Sequence, residues 1–430
     1  MEEFLINEIG EEIVPVILVG LSMEQKLANI TIEESMNELE ELAKAANAKV
    51  EEKVIQRANQ INPRTYIGKG KVVEIQLLAK ERDVSLVIFN DELTGVQIRN
   101  LEEILECRVI DRTVLILDIF AKRAQSKIAK LQVELAQLQY RLPRLSGMSS
   151  GLSRTGGGIG TRGPGEQKLE MDRRHIRTRM TDINRRIKET IIVRETQRGR
   201  RQKNEIPIVA LVGYTNAGKS TIMNALIEGT TDAENRKVFA KDMLFATLDT
   251  YARQISWTEG KTFLLIDTVG FVSKLPHSLI DAFKATLEEV VEADLLVQVV
   301  DASNENHELQ MEVTKDVLKQ LEAGNKEMII AYNKIDLVCD ELIHSRGIPY
   351  IYVSAKTGKG MKELVKEIET KLYSDRLVVT MHIPFSRGEV LGALRESGRL
   401  LETSYDENGT NISIELKKNI YEKYKEFEVS

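Results

Sequence analysis

A chain of 430 residues, 42% of them hydrophobic, is long enough for two to four domains with packed cores. No apolar run approaches the roughly 20 residues of a membrane span, and the start, Met1-Glu2-Glu3-Phe4-Leu5, lacks the basic-then-apolar order of a secretion signal. Cys107 and Cys339 are too few for a disulfide framework or a zinc site, and five scattered histidines fit no nucleophile or metal arrangement, so a cytoplasmic protein is expected.

Residues 1–118 alternate apolar runs with helical patterns, as in Ile13 to Leu21, Val84 to Phe89 and Val109 to Ile110, which predicts a small α/β domain. Gly68-Lys69-Gly70 is a poor phosphate motif and reads as a tight strand-to-helix turn. Next, residues 119–205 predict a basic antiparallel helical hairpin. Leu131, Leu135, Leu138, Leu142 and Leu145 recur at helical spacing, as do Ile176, Met180, Ile183, Ile187 and Ile191. The stretch from Ser146 to Gly165 is too rich in Gly and Ser for a helix, so it forms the tip, carrying Arg154 and Arg162, between helices each about 40 Å long at ~1.5 Å per residue. The net charge of −6 conceals this segment. Residues 121–203 hold 21 Lys and Arg against 7 Asp and Glu, a balance of +14, and the remaining 39 basic and 59 acidic residues leave −20. Clustering of one sign is the electrostatic footprint of nucleic-acid binding, whereas a merely solvated helix surface mixes both signs.

Residues 206–375 carry the chemistry. An apolar run from Pro207 leads into Gly213-Tyr214-Thr215-Asn216-Ala217-Gly218-Lys219-Ser220-Thr221, the spacing in which a glycine loop and a helix start surround phosphates with backbone N–H groups. Lys219 would reach the β- and γ-phosphates, and the Ser220 hydroxyl would sit on Mg²⁺. Phe263 to Ile266 ends in Asp267-Thr268-Val269-Gly270, with Asp267 holding Mg²⁺ through water and the Gly270 N–H meeting the γ-phosphate. Met328 to Tyr332 ends in Asn333-Lys334-Ile335-Asp336. The Asp336 carboxylate can accept from both the ring N–H and the exocyclic amine of guanine, and adenine offers no such pair. Tyr350 to Val353 leads into Ser354-Ala355-Lys356, whose amides meet the guanine carbonyl. Singly, each later motif is a solvated turn after a strand; their order and strand-end context predict a GTP-hydrolysing enzyme. Phe271 stands where Ras-like GTPases use a glutamine to orient water. Slow basal hydrolysis is therefore expected, with a partner, a cation or an ordered switch completing the site. The switch itself falls in Leu244 to Thr250, where Thr247 and Thr250 could both close on Mg²⁺ and γ-phosphate. Residues 376–430 read as a compact α+β appendage with a hairpin turn at Asp406-Glu407-Asn408-Gly409.

The fold class is thus α/β: a P-loop domain with a mostly parallel sheet and helices on both faces, an N-terminal α/β domain, a helical hairpin and a small C-terminal α+β domain. Nearly the whole chain resembles the HflX-type GTPases. Beyond the nucleotide motifs, the resemblance rests on Cys107-Arg108-Val109-Ile110-Asp111-Arg112-Thr113, Leu117-Asp118-Ile119-Phe120-Ala121 and Lys130-Leu131-Gln132-Val133-Glu134-Leu135-Ala136-Gln137-Leu138. The loop patterns Gly156-Gly157-Gly158-Ile159-Gly160 and Arg162-Gly163-Pro164-Gly165-Glu166 extend it. On resemblance, Phe245-Ala246-Thr247 is the switch and Thr247 its threonine. Asn216 resembles the asparagine of potassium-stimulated GTPases, which makes it a candidate K⁺ ligand; capping the loop backbone is its other reading. The family resemblance implies binding of the large ribosomal subunit and its rRNA and separation of stalled ribosomes, with the hairpin loop approaching the peptidyl transferase region. GTP-bound protein would bind and hydrolysis would release it. It also implies antibiotic resistance in some members and a secondary ATP-dependent, RNA-remodelling activity of the N-terminal region. A GTP-regulated RNA-binding factor for large-subunit assembly is the second reading, and a monomer is expected. Two departures stand out: Thr250-Tyr251-Ala252-Arg253 where the family has Pro-Thr-Thr-Arg, which frees the loop, and Gln167-Lys168 where it prefers Thr-Gln.

Overall fold

The computed structural model describes residues 13–23, 31–148, 164–202, 206–230, 251–258, 261–276, 279, 287, 289–338 and 348–429. Four parallel strands form the N-terminal sheet in the order β2-β1-β3-β4. β1 (Val14–Ser22), β3 (Leu86–Phe89) and β4 (Arg108–Asp111) are the apolar runs expected, because a parallel strand covered on both faces reads as unbroken hydrophobics. β2 (Ala48–Arg57) escapes a hydrophobic search: it is an edge strand reading AKVEEKVIQR. Around the sheet lie α1 (Ile32–Ala45), α2 (Lys69–Glu81), α3 (Gly95–Leu105) and α4 (Arg112–Arg123). A capping box between Thr31 and Glu34 starts α1. Gly68 is the N-cap of α2.

Helix α4 runs through residue 118, with Leu115, Ile116, Ile119 and Phe120 buried, and ends at Arg123. α5 (Lys127–Met148) and α6 (Pro164–Gln202) then form the hairpin. Leu131, Leu135, Ile183 and Ile187 are its buried seam, joined by Leu138 and Met180, as the spacing predicted. Arg179 grips Glu134 across the pair with two hydrogen bonds of 2.7 and 2.9 Å. Both helices intrude on the expected Ser146 to Gly165 break, since α5 continues through Met148 and α6 opens on Pro164, a residue suited to a first helical turn. With 39 residues α6 is also longer than the 40 Å expected, about 58 Å at ~1.5 Å per residue. The rest of the tip, with Arg154 and Arg162, lies outside the described residues.

The next sheet has six strands in the order β10-β9-β8-β5-β7-β6. β5 (Ile208–Gly213) and β8 (Leu295–Asp301) are central, beside β7 (Lys261–Asp267) and β9 (Met328–Asn333). β10 (Tyr350–Tyr352) and the antiparallel β6 (Tyr251–Thr258) form the edges. One face packs on α7 (Lys219–Glu228) and α9 (Met361–Leu372), the other on α8 (His307–Gln320). The C-terminal sheet, in the order β11-β13-β12, consists of β11 (Arg376–Pro384), β12 (Gly398–Tyr405) and β13 (Gly409–Lys417), covered by α10 (Gly388–Ser397) and α11 (Lys418–Tyr424). Its hairpin turns where expected, the Asp406 carboxylate accepting from the N–H groups of Asn408 and Gly409 at 2.8 and 2.9 Å. Among the described residues no helix is long and apolar enough to cross a membrane.

Candidate nucleotide site

The carboxyl ends of β5, β7, β8 and β9 meet at one place, and the sequence motifs converge on it. Between β5 and α7 the loop depends on two glycines. Gly213 has φ +143° and would put a Cβ 2.3 Å from the Val299 carbonyl; Gly218 has φ +94° and would put one 2.3 Å from Asn333 Nδ2. Asn216 is exposed and left-handed at φ +60°, a conformation asparagine tolerates. Tyr214, Thr215 and Ala217 are buried, and Thr221 is half-buried in the first turn of α7. Lys219 is only 6% exposed. Its ammonium donates to the carbonyls of Gly213 at 3.1 Å and Tyr214 at 2.8 Å. Burial pushes it down to about 8, against the opposing pull of Asp267. Ser220 Oγ donates to Asp267 Oδ2 at 2.5 Å, so two hard oxygen donors adjoin, a set that fits Mg²⁺.

Asp267 is wholly buried opposite Leu211, and Thr268 Oγ1 anchors the segment by donating to the Leu211 carbonyl at 2.6 Å. Val269 is buried. Gly270 is pressed against the loop: a Cβ there would lie 2.7 Å from Thr215 Cγ2 and 3.0 Å from Lys219 Nζ. Phe271 continues the contact, its N–H donating to Gly213 O at 3.1 Å and its carbonyl accepting from the Thr215 N–H at 2.8 Å. The phenyl ring is 3% exposed in an apolar cluster reaching from Ala210 and Val212 to Val16 and Leu18, so it belongs to the core.

On the other side, Asn333 ties the two loops together. Its Nδ2 donates to Ala217 O at 2.9 Å and its Oδ1 accepts from the Ala355 N–H at 3.1 Å. Lys334 is left-handed at φ +63° and pairs with Asp301 at 2.8 Å. Asp336 is exposed; a 2.6 Å hydrogen bond from Ser354 Oγ, and then Lys356 and Lys334 nearby, hold its carboxyl below the usual range. The amides of Ser354-Ala355-Lys356 are not equivalent. Ser354 N–H donates to Lys359 O and Ala355 N–H to Asn333, so of these three amides it is that of Lys356 that has no hydrogen bond to the described residues. Phe245, Ala246 and Thr247, the expected switch, lie outside the described residues.

Sequence reasoning missed what the Tyr214 side chain does. It leaves the loop to meet Glu38 on α1 and Ser273 beyond Phe271. The available signal was Asp111-Arg112, a charged pair at the carboxyl end of a parallel strand, where open α/β sheets bind ligands.

Residues 33–121 match a family model described as GTP-binding GTPase N-terminal, 123–201 match GTP-binding GTPase Middle Region, and 208–334 match 50S ribosome-binding GTPase. Among curated relatives, the GTPase HflX of Caldanaerobacter subterraneus subsp. tengcongensis is 48% identical, the match covering 93% of this chain and 91% of that one. That of Lacrimispora saccharolytica is 45% identical over 90% of each. The GTPase HflX of Escherichia coli is 37% identical, again over 90% of each.

Proposed function

This chain belongs to the HflX family of GTPases, and on that premise we propose that it is a ribosome-associated factor whose GTP-bound form binds the large subunit, splits or recycles stalled ribosomes, and leaves on hydrolysis. The observation that carries the reading is the convergence of Lys219, Asp267, Gly270 and Asp336 at the end of one sheet in a chain that also extends a basic hairpin. Lys219 binds the β- and γ-phosphates, the Gly270 N–H meets the γ-phosphate, and Asp336 selects guanine beside Ser354, Ala355 and Lys356. Ser220 and Asp267, with Thr247 from the switch, would hold Mg²⁺, which when bound neutralises charge between the β- and γ-phosphoryl oxygens. Asn216 is the candidate for K⁺. Because the Phe271 ring is in the core, it cannot orient the attacking water, and basal turnover by the purified protein is slow until a ribosome or a cation completes the site.

Residues 1–118, 119–205, 206–375 and 376–430 form the working units, and the second carries the rRNA contact. Arg174 and Arg177 are exposed on α6 and make no ion pair among the described residues, whereas Arg179 is tied to Glu134 and Arg185 and Arg186 share Asp182. Reversing Arg174 and Arg177 to Glu therefore weakens ribosome binding and flattens its salt dependence without breaking the hairpin's own pairs. Sedimentation of intact ribosomes with the protein and a non-hydrolysable GTP analogue tests the function. Splitting predicts a rise in free subunits. Binding to large subunits with no such rise would instead favour an assembly factor.

A further inference from the structure

The segment after Gly270 is docked on the N-terminal sheet. Ser273, three residues on, is 1% exposed. Its hydroxyl donates to Glu38 Oε2, and its N–H donates to Tyr214 Oη at 2.7 Å and to Glu38 Oε1 at 3.2 Å. The Tyr214 hydroxyl in turn donates to Glu38 Oε1. Behind this group stands Arg112, 2% exposed, donating to Glu38 Oε2 at 2.5 Å, to Ser273 Oγ at 3.0 Å and O at 3.2 Å, and to Asn90 Oδ1 at 3.1 Å. Lys274 adds an ion pair with Asp91 at 2.8 Å. Burial by itself would raise the Glu38 carboxyl, but Arg112 and the two hydroxyls outweigh it and keep the group an anion.

The location carries meaning. In the order β2-β1-β3-β4 the connections reverse direction between β1 and β3, and the crevice at the carboxyl ends of such strands is where open parallel sheets take ligands. Asn90, just past β3, bonds to Val19 of β1 and to Ser35 of α1, so this crevice is the one occupied. Its occupant is Ser273 of the same chain. A single carboxylate there holds one residue of the phosphate loop and one residue of the segment that presents Gly270.

We propose that Glu38 is a positioning residue of the GTPase: by fixing Tyr214 and Ser273 together it holds the Gly270 N–H in register with Lys219, making the N-terminal domain part of the nucleotide site. The proposal rests on the assignment of that site given above. Glu38 touches no phosphate; it acts through two residues that frame the site, and because coupling is reciprocal, the nucleotide state is felt in the N-terminal crevice. A merely structural contact would cost stability and leave the ratio of GTP to GDP affinity unchanged.

The test uses full-length protein with Glu38→Gln, Ser273→Ala and their combination. Glu38→Gln keeps the volume but removes the charge that Arg112 pairs with; Ser273→Ala removes only a hydroxyl and serves if the first variant does not fold. Each single variant is expected to lower kcat for GTP by roughly 10- to 100-fold, as a small misplacement of a reacting group does, while affinity for a fluorescent GDP analogue stays within about twofold. The double variant should be no worse than the poorer single, since both act on one contact. Wild-type kcat in folded single variants, equal losses of GTP and GDP affinity, or multiplicative effects in the double variant would each overturn the proposal. If wild-type protein itself turns over no GTP, with or without ribosomes, the assignment of the site fails, and this proposal with it.

Discussion

Lys219 should take up a proton when nucleotide binds. Its buried ammonium donates to two carbonyls, and burial outweighs the pull of Asp267, so that its affinity for a proton falls from the ordinary 10.5 to about 8. Because the folded value lies below the unfolded one, the charge costs stability at every pH below 8, about 3 kcal/mol at 1.36 kcal/mol per unit, and the cost fades as pH rises from 8 towards 10.5. A phosphate beside the ammonium reverses the balance and restores the charge. At pH 8.5 a group titrating at about 8 is about three-quarters neutral, so GDP binding should draw about 0.75 proton from the buffer. At pH 7 the uptake should be about 0.1 by the same relation. Titration calorimetry in two buffers of different ionisation heat measures the uptake directly, and Lys219→Arg, permanently charged, supplies the control without it. An uptake at pH 8.5 no larger than that at pH 7 would refute the reasoning, because the free protein would then already hold its proton.

Asp336→Asn should weaken GTP binding by at least roughly 1.5 to 3 kcal/mol, one charge-assisted hydrogen bond being lost as the amide cannot accept from both guanine donors, and shift preference towards xanthosine triphosphate, to whose altered base an amide can donate. Nucleotide competition checks it; unchanged GTP selectivity would remove Asp336 from that role. Phe271→Gln should not create a fast enzyme of the Ras type. The side chain is 3% exposed in the core, so the change should destabilise the protein by roughly 3 to 5 kcal/mol. Thermal denaturation reads this, and faster hydrolysis at unchanged stability would show the side chain turned towards the phosphates instead.

The nucleotide site was legible in the sequence because its parts are local. Gly213 and Gly218 are demanded by their own backbone angles and close contacts, Lys219 by its place at a helix start, Asp267 by its place at the end of an apolar strand and Asp336 by its place just past one. The hairpin was legible for a similar reason, since helical periodicity writes a seam such as Leu131, Leu135, Ile183 and Ile187 into the spacing of residues. Polar β2 left no such mark, because an edge strand needs little apolar surface and its pairing with β1 is a property of the sheet. Nor does any pattern of nearby residues state that two amides of Ser354-Ala355-Lys356 are already committed, or that Phe271 is buried. Those facts depend on which surfaces meet. Glu38 and Ser273 are 235 positions apart, and on its own each is an ordinary helix glutamate or loop serine. Only when the GTPase sheet packs on the N-terminal one are that carboxylate, Arg112, Tyr214 and Ser273 taken out of water together, and desolvation of charge then drives them to bond one another in an arrangement that local propensity does not encode.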